Sequence, residues 1–254
     1  MVMELQKASF WKRISSYLFD VILVIVLTVG FAVGLSSALN YDSYTKQLST
    51  YSQQYAQEYG IQMDITEEEY NALSQEEKTK YESANEAFSK DPNVIQLNQT
   101  IVKLTLIIIG VGLLLAHLIW YFGIPLLFKN GQTLGKKIFG IAVIRTNGVK
   151  ASNPVLFIRA IIGQYAIETM FPIFLLTIGV VGVVVIVMLL ILQIAMIAVT
   201  QTRSAIHDLL TDTVVVDFSS QLIFETEEEL VRFKEEEHLK KVAASEDIQS
   251  GKTI

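Results

Sequence analysis

The sequence predicts an all-α membrane protein: a bundle of four transmembrane helices with an extracellular helical cap and a small cytoplasmic β-element. Three observations predict it. Of the 254 residues, 51% are hydrophobic and only 18% charged, and the mean hydropathy of +0.42 is too high for a water-soluble globule. Apolar runs long enough to cross a hydrocarbon core of about 30 Å recur along the chain. Between those runs the charges fall into segments of opposite sign, as they do on the two sides of a bilayer. The absence of cysteine excludes a disulfide framework, a thiolate metal centre and a cysteine nucleophile, and the net charge of −6 argues against a nucleic-acid binder. No residue pattern calls for a cofactor or a metal, and the expectation is that the chain is not an enzyme.

Residues 1–39 read as a short cytoplasmic N-terminus, basic through Lys7, Lys12 and Arg13, and the first span. The span's apolar run, Val21 to Leu35, extends back through Leu18, Tyr17 and Ile14 to Trp11. Ser36-Ser37-Ala38 looks like a signal-peptide cleavage site, but the run exceeds a typical signal core, so the segment reads as an uncleaved anchor. Residues 40–100 carry four lysines against eleven acids, net −7, and read as an extracellular helical insertion. Tyr44, Leu48, Tyr51, Tyr55 and Tyr59 recur at helical spacing with Gly60 as a stop, a stripe that continues span one outward and packs against the other cap helices rather than a partner. Thr66-x-x-Glu69 and Ser74-x-x-Glu77 are capping boxes, and Asp91-Pro92 starts the helix that leads into span two.

Residues 101–128 form the second span, followed by a cytoplasmic loop, 129–153, with five basic residues and no acid. Within it, Ile141 to Arg145 reads as a strand, with Thr213 to Val216 as the β-branched run it would pair with. Residues 154–202 are too long for one helix and reverse near Gly179 and Gly182, giving spans three and four. Residues 203–254 form an acidic cytoplasmic tail, with a helix opened by Thr226-x-x-Glu229. Four spans put both termini inside, in a bacterial cytoplasmic membrane. Gly30-x-x-x-Gly34 and Gly112-x-x-x-Ala116 are small-residue faces suited to close helix packing.

Intramembrane charge is costly and marks a site by default. Arg13 and Asp20, seven residues apart, share a face of span one. They stand in order with Gly131-Gln132-Thr133-Leu134-Gly135-Lys136-Lys137 after span two, Arg159 opening span three, and His207-Asp208 after span four. Together these residues resemble the RDD family of bacterial multi-pass membrane proteins, named for an arginine and two aspartates. The resemblance puts the family motif on Arg13, Asp20 and Asp208, and the glycine-threonine-glycine-lysine segment on Gly131, Thr133, Gly135 and Lys136. It covers the membrane core but neither the 40–100 segment nor the acidic tail. It implies ion transport, cation/proton exchange included, as suggested for some members, while most have no assigned activity.

The glycine-lysine segment is no phosphate loop: its glycines enclose three residues, and Lys137 stands where Ser or Thr should bind magnesium. Its lysines are expected at anionic lipid head groups. By depth, Asp20, His117, Glu168 and Gln193 supply one polar group per span, and with Arg159 form a candidate ion or proton site. The same groups could instead satisfy one another as interhelical hydrogen bonds. Two functions stay open: small cation or proton transport, which four short spans would need a homodimer to enclose, and a regulatory or scaffold subunit binding another membrane protein through cap or tail.

Overall fold

Continuous helix dominates the chain because the apolar segments must satisfy every backbone amide internally. The structure is a computed structural model and describes residues 5–128, 130–199 and 203–249. The basic Lys129, the predicted end of span four at Thr200 and the last five residues lie outside that set. Four helices among the described residues are long and apolar enough to cross a membrane: Phe10–Ala38, Pro92–Phe128, Asn153–Leu176 and Val180–Val199. The first is α1, Phe10–Ala38; the fold is all-α and of membrane type, with one small sheet. The chain divides into two compact units, 27–113 and the remainder.

In the 27–113 unit, α1 ends and Asn40, at φ 51, turns the chain before α2, Tyr41–Tyr59. The tyrosine stripe therefore does not prolong span one as one helix: Asn40 breaks it in the left-handed conformation that asparagine tolerates. Gly60, at φ 63, stops α2 as its position suggests. Both capping boxes form, Thr66 opening α3 (Glu67–Ala72) and Ser74 opening α4 (Gln75–Lys90). The Tyr55 ring lies 5.7 Å from Phe88 of α4 and its hydroxyl donates to Asp91 Oδ2 at 3.1 Å, so the stripe packs inward. The next helix, α5 (Pro92–His117), starts at Asp91-Pro92. A Cβ on Gly112 would lie 3.5 Å from the Thr28 carbonyl, a close approach of α5 to α1; among the described residues nothing lies within 4 Å of where a Cβ would be on Gly30 or Gly34.

In the other unit the second span continues from α5 through a π-helical turn, Leu118–Gly123, into α6, Ile124–Phe128. A short helix, α7 (Leu134–Ile138), leads directly into β1, Ile141–Arg145. Span three comprises α8 (Asn153–Ile158), a twelve-residue π-helix, Arg159–Met170, and α9 (Phe171–Leu176). The reversal at Gly179, φ 72, delivers the fourth span, α10, Val180–Val199. Then come α11 (Ile206–Leu210), β2 (Thr213–Asp217) and α12 (Glu227–Gln249). The two β-branched runs pair antiparallel with Val143 opposite Val215, and the chain ahead of α1 joins at Lys7, which bridges Val216. Both faces of this sheet are buried, Ile141 and Val143 with Ala8 on one, Ala142, Ile144 and Val214 on the other.

Candidate functional site

Asp20 is fully buried, and three donors converge on it. Trp120 Nε1 and the Gly135 backbone N–H each donate to Oδ1 at 2.9 Å, and the Thr133 hydroxyl donates to Oδ2 at 2.5 Å. Lys136 Nζ stands 3.7 Å from Oδ2 and also donates to Thr133 Oγ1. This explains the glycine-threonine-glycine-lysine segment sterically. A Cβ at Gly135 would meet the Ser16 carbonyl at 2.5 Å and Asp20 Oδ1 at 2.8 Å, and Gly131 sits at φ 61 with the Val143 carbonyl 2.8 Å from where its Cβ would be. Thr133 caps α7 while gripping Asp20. Lys136 is not at lipid head groups: it is buried, and burial pushes its ammonium down to about 8 despite the attraction of Asp20. Lys137 lies 4.1 Å over the Phe128 ring.

Arg13 does not pair with Asp20, although the two share a helix face. Its ion-pair partner is Asp208, 3.8 Å away, and its NH2 group also donates to the Val215 carbonyl of β2 at 3.5 Å. Arg159 binds the same carboxylate more tightly, Nε at 3.3 Å and NH2 at 2.6 Å from Oδ1, while Oδ2 accepts the Ala205 backbone N–H. Burial disfavours the Asp208 anion, yet Arg159, His207 and Arg13 more than reverse this and hold the carboxyl well below the usual carboxylate range.

His207, adjacent in α11, has its Nδ1 2.7 Å from both oxygens of Glu168 and its Nε2 3.5 Å from Asp208. The contact depends on the π-helix. At about 4.4 residues per turn, Arg159, Gly163, Gln164 and Glu168 fall on one face, and Gly163 lets α11 approach until a Cβ there would be 2.5 Å from His207 Cβ.

The expected polar layer of Asp20, His117, Glu168, Arg159 and Gln193 is therefore not one cluster. Asp20 belongs to the 131–136 turn, Arg159 to Asp208, Glu168 to His207, and His117 Nε2 meets the Thr169 hydroxyl at 3.2 Å between the rings of Tyr121 and Tyr165. Gln193 lines a cavity of about 260 Å³ into which Arg13, Asp20, Lys136, Arg159, His207 and Asp208 all open. Sequence reasoning missed Trp120, Gln164 and the pairing role of His207; the signal for the last was Gly163, a small residue one turn from Arg159. Among the described residues no group of three or more His, Asp or Glu side chains could hold a metal ion.

No curated protein and no solved structure matches the chain. The model of the RDD family matches residues 7–212, a stretch that contains Arg13, Asp20 and Asp208 and ends one residue before β2. With that match over most of its length, the chain is a membrane protein of the RDD family.

Proposed function

We propose that the protein is a proton-coupled carrier, not an enzyme, in the cytoplasmic membrane of a bacterium, with both termini and the 129–153 loop on the cytoplasmic side and a homodimer as working unit. The orientation follows from the excess of lysine and arginine in 129–153 and of acid in 40–100. The observation that carries the transport reading is the Glu168–His207 pair at 2.7 Å, with His207 in the cavity wall and 3.5 Å from Asp208. An imidazole and a carboxylate in hydrogen-bond contact, with the imidazole facing the cavity, are the usual parts of a proton relay. Asp20 is a positioning group: three donors and a lysine occupy its oxygens, leaving little to offer a metal cation. The cavity lining, three cations against two carboxylates, likewise favours the proton over sodium or potassium as the species handled.

The test is flux into proteoliposomes holding a pH-sensitive dye, with sodium, potassium or lithium gradients imposed. Proton movement is expected from the wild type and not from Glu168→Gln. Equal movement in both, or none from folded wild type, overturns the reading. A second reading has its own observation: Arg13 and Arg159 both pair with Asp208, and Asp20 pairs with Lys136, as in a structural lock. On that reading the protein is a regulatory or scaffold subunit, and deleting about residues 44–89 removes both its activity and a co-purifying membrane protein.

A further inference from the structure

The cavity has a charged floor, an apolar mouth and two unused hydrogen-bonding atoms. The floor carries Arg13, Lys136 and Arg159 against Asp20 and Asp208, a surplus of one positive charge. Arg13 Nε, a donor, and Gln164 Oε1, an acceptor, are buried with no hydrogen-bond partner among the described residues, and both side chains line the cavity. Arg13 is 8% and Gln164 5% exposed. The mouth is formed by Tyr17 and Leu18 on α1 and by Leu190 and Ile194 on α10, each about half exposed. Apolar side chains exposed on membrane-crossing helices face hydrocarbon, so the cavity opens sideways into the lipid. At about 260 Å³ it is at the small end of ligand sites and holds a head group without its chain.

We infer that this cavity binds an amphiphile whose head is a singly anionic phosphodiester bearing a hydroxyl, its apolar chain leaving between α1 and α10. The anionic oxygens meet Arg13 Nε and the surplus positive charge, and the hydroxyl donates to Gln164 Oε1. A zwitterionic head would bring a cation into a site that already has too many. The inference deepens the carrier reading by naming a ligand class for the same cavity, and it rests on that cavity being the working site, not on proton coupling.

The experiment uses the full chain purified in a neutral maltoside detergent, with Trp120 fluorescence and native mass spectrometry as readouts. The probes are dioctanoyl phosphatidylglycerol, dioctanoyl phosphatidylmethanol, which lacks the hydroxyl, dioctanoyl phosphatidylcholine, and glycerol phosphate, which lacks the chain. Saturable binding is expected for phosphatidylglycerol, about tenfold stronger than for phosphatidylmethanol and stronger again than for phosphatidylcholine. Gln164→Leu, which keeps the volume and removes the unpartnered acceptor, is expected to fold and to lose the tenfold preference. Ile194→Trp, which fills the mouth and leaves the charges in place, is expected to weaken lipid binding at least tenfold. Glycerol phosphate binding as tightly as the lipid overturns the amphiphile and leaves a free-anion site. Equal binding of all three lipids, binding of none, or an unchanged preference in Gln164→Leu overturns the assignment. Because binding is read without a gradient, its failure leaves the proton-flux result standing, and a failed flux leaves the binding result standing.

Discussion

Replacing Asp20 with asparagine removes one charge and one acceptor while keeping the shape, and the structure says how much that should cost. Oδ1 accepts from Trp120 and Gly135, and Oδ2 from Thr133, all at 2.5–2.9 Å, with Lys136 Nζ beyond. Hydrogen bonds to a charged group contribute about 1.5–3 kcal/mol and neutral ones about 0.5–1.5 kcal/mol. In Asp20→Asn two bonds fall from the first class to the second. The Thr133 bond falls with them, because the hydroxyl, an acceptor as well as a donor, has to turn and accept from the new amide nitrogen, and Lys136 is left without its counter-charge. The sum is about 3–5 kcal/mol, the range typical of breaking a buried ion pair. At roughly 2–4 °C per kcal/mol for a chain this long, the unfolding midpoint should fall by about 6–20 °C. Thermal unfolding in detergent, followed by far-ultraviolet circular dichroism, measures it, with Trp120→Phe as a milder control that removes one donor and keeps the anion. A midpoint for Asp20→Asn within a degree or two of wild type, together with lost proton flux, would refute the argument and return Asp20 to the role of solute ligand.

Gly163→Ala should push α11 away from the π-helix, since its Cβ would sit 2.5 Å from His207 Cβ; hydrogen exchange should speed up at Ile206–Leu210, with about 1–3 kcal/mol of stability lost. Lys136 has a value of about 8 in the folded chain against 10.5 ordinarily, so between those pH values the unfolded chain holds a proton the folded one has released. Stability should therefore rise by about 3 kcal/mol as pH climbs from 8 to 10.5, and a denaturant series across that window should show the rise disappear in Lys136→Met. At Asn40, φ 51, glycine should be neutral while valine costs about 1–2 kcal/mol, read from the unfolding midpoint.

Where the physics was local, the sequence was readable. The runs at 141–145 and 213–216 announce a pair of strands, and the two capping boxes form as their spacing requires. Three apolar runs, the last split near Gly179, give four helices of crossing length because hydrophobicity and length decide that without tertiary help. Pairing was another matter. Spacing on α1 puts Arg13 and Asp20 on one face, but the partner each takes depends on which loop arrives there, and the loops crossed: the 131–136 turn took Asp20, and α11 took Arg13. Glu168 is singled out by the sequence, but its pairing with His207 on the face of Arg159 is not, because that depends on the π-helical period. Nine residues separate it from Arg159, which at about 100° per residue puts them on opposite sides of a helix; in the wider π-helix they share a side, and α11 lies along it. Asn40 breaks a stripe that the pattern alone would carry on, because one left-handed residue leaves no mark on hydrophobic periodicity.

The three family residues close a ring of contacts. The start of α1 is fastened to β2 by the Ala8 N–H donating to the Val215 carbonyl at 3.1 Å, by Arg13 on the same carbonyl and on Asp208, and by the Lys12–Asp217 ion pair. Two turns further along, Asp20 fastens α1 to the turn that opens α7, and that turn runs into β1, held also by Gln132 Nε2 on the Ile141 carbonyl at 2.9 Å. Pairing of β1 with β2 completes the circuit. Arg13 and Asp20 are therefore two closures of one loop, although their side chains have different partners and their Cα atoms lie about 10 Å apart along the helix. Independent sites at that distance would add to within about 0.5 kcal/mol. In a ring, the first break already frees the β-element from α1 in part, so the second should cost less than it does alone. A double-mutant cycle of Arg13→Gln and Asp20→Asn, read by thermal unfolding, should show the pair less destabilising than the sum of the single changes by more than about 1 kcal/mol. Strict additivity would mean that each family residue serves only its own contacts, and that the sheet between them transmits nothing.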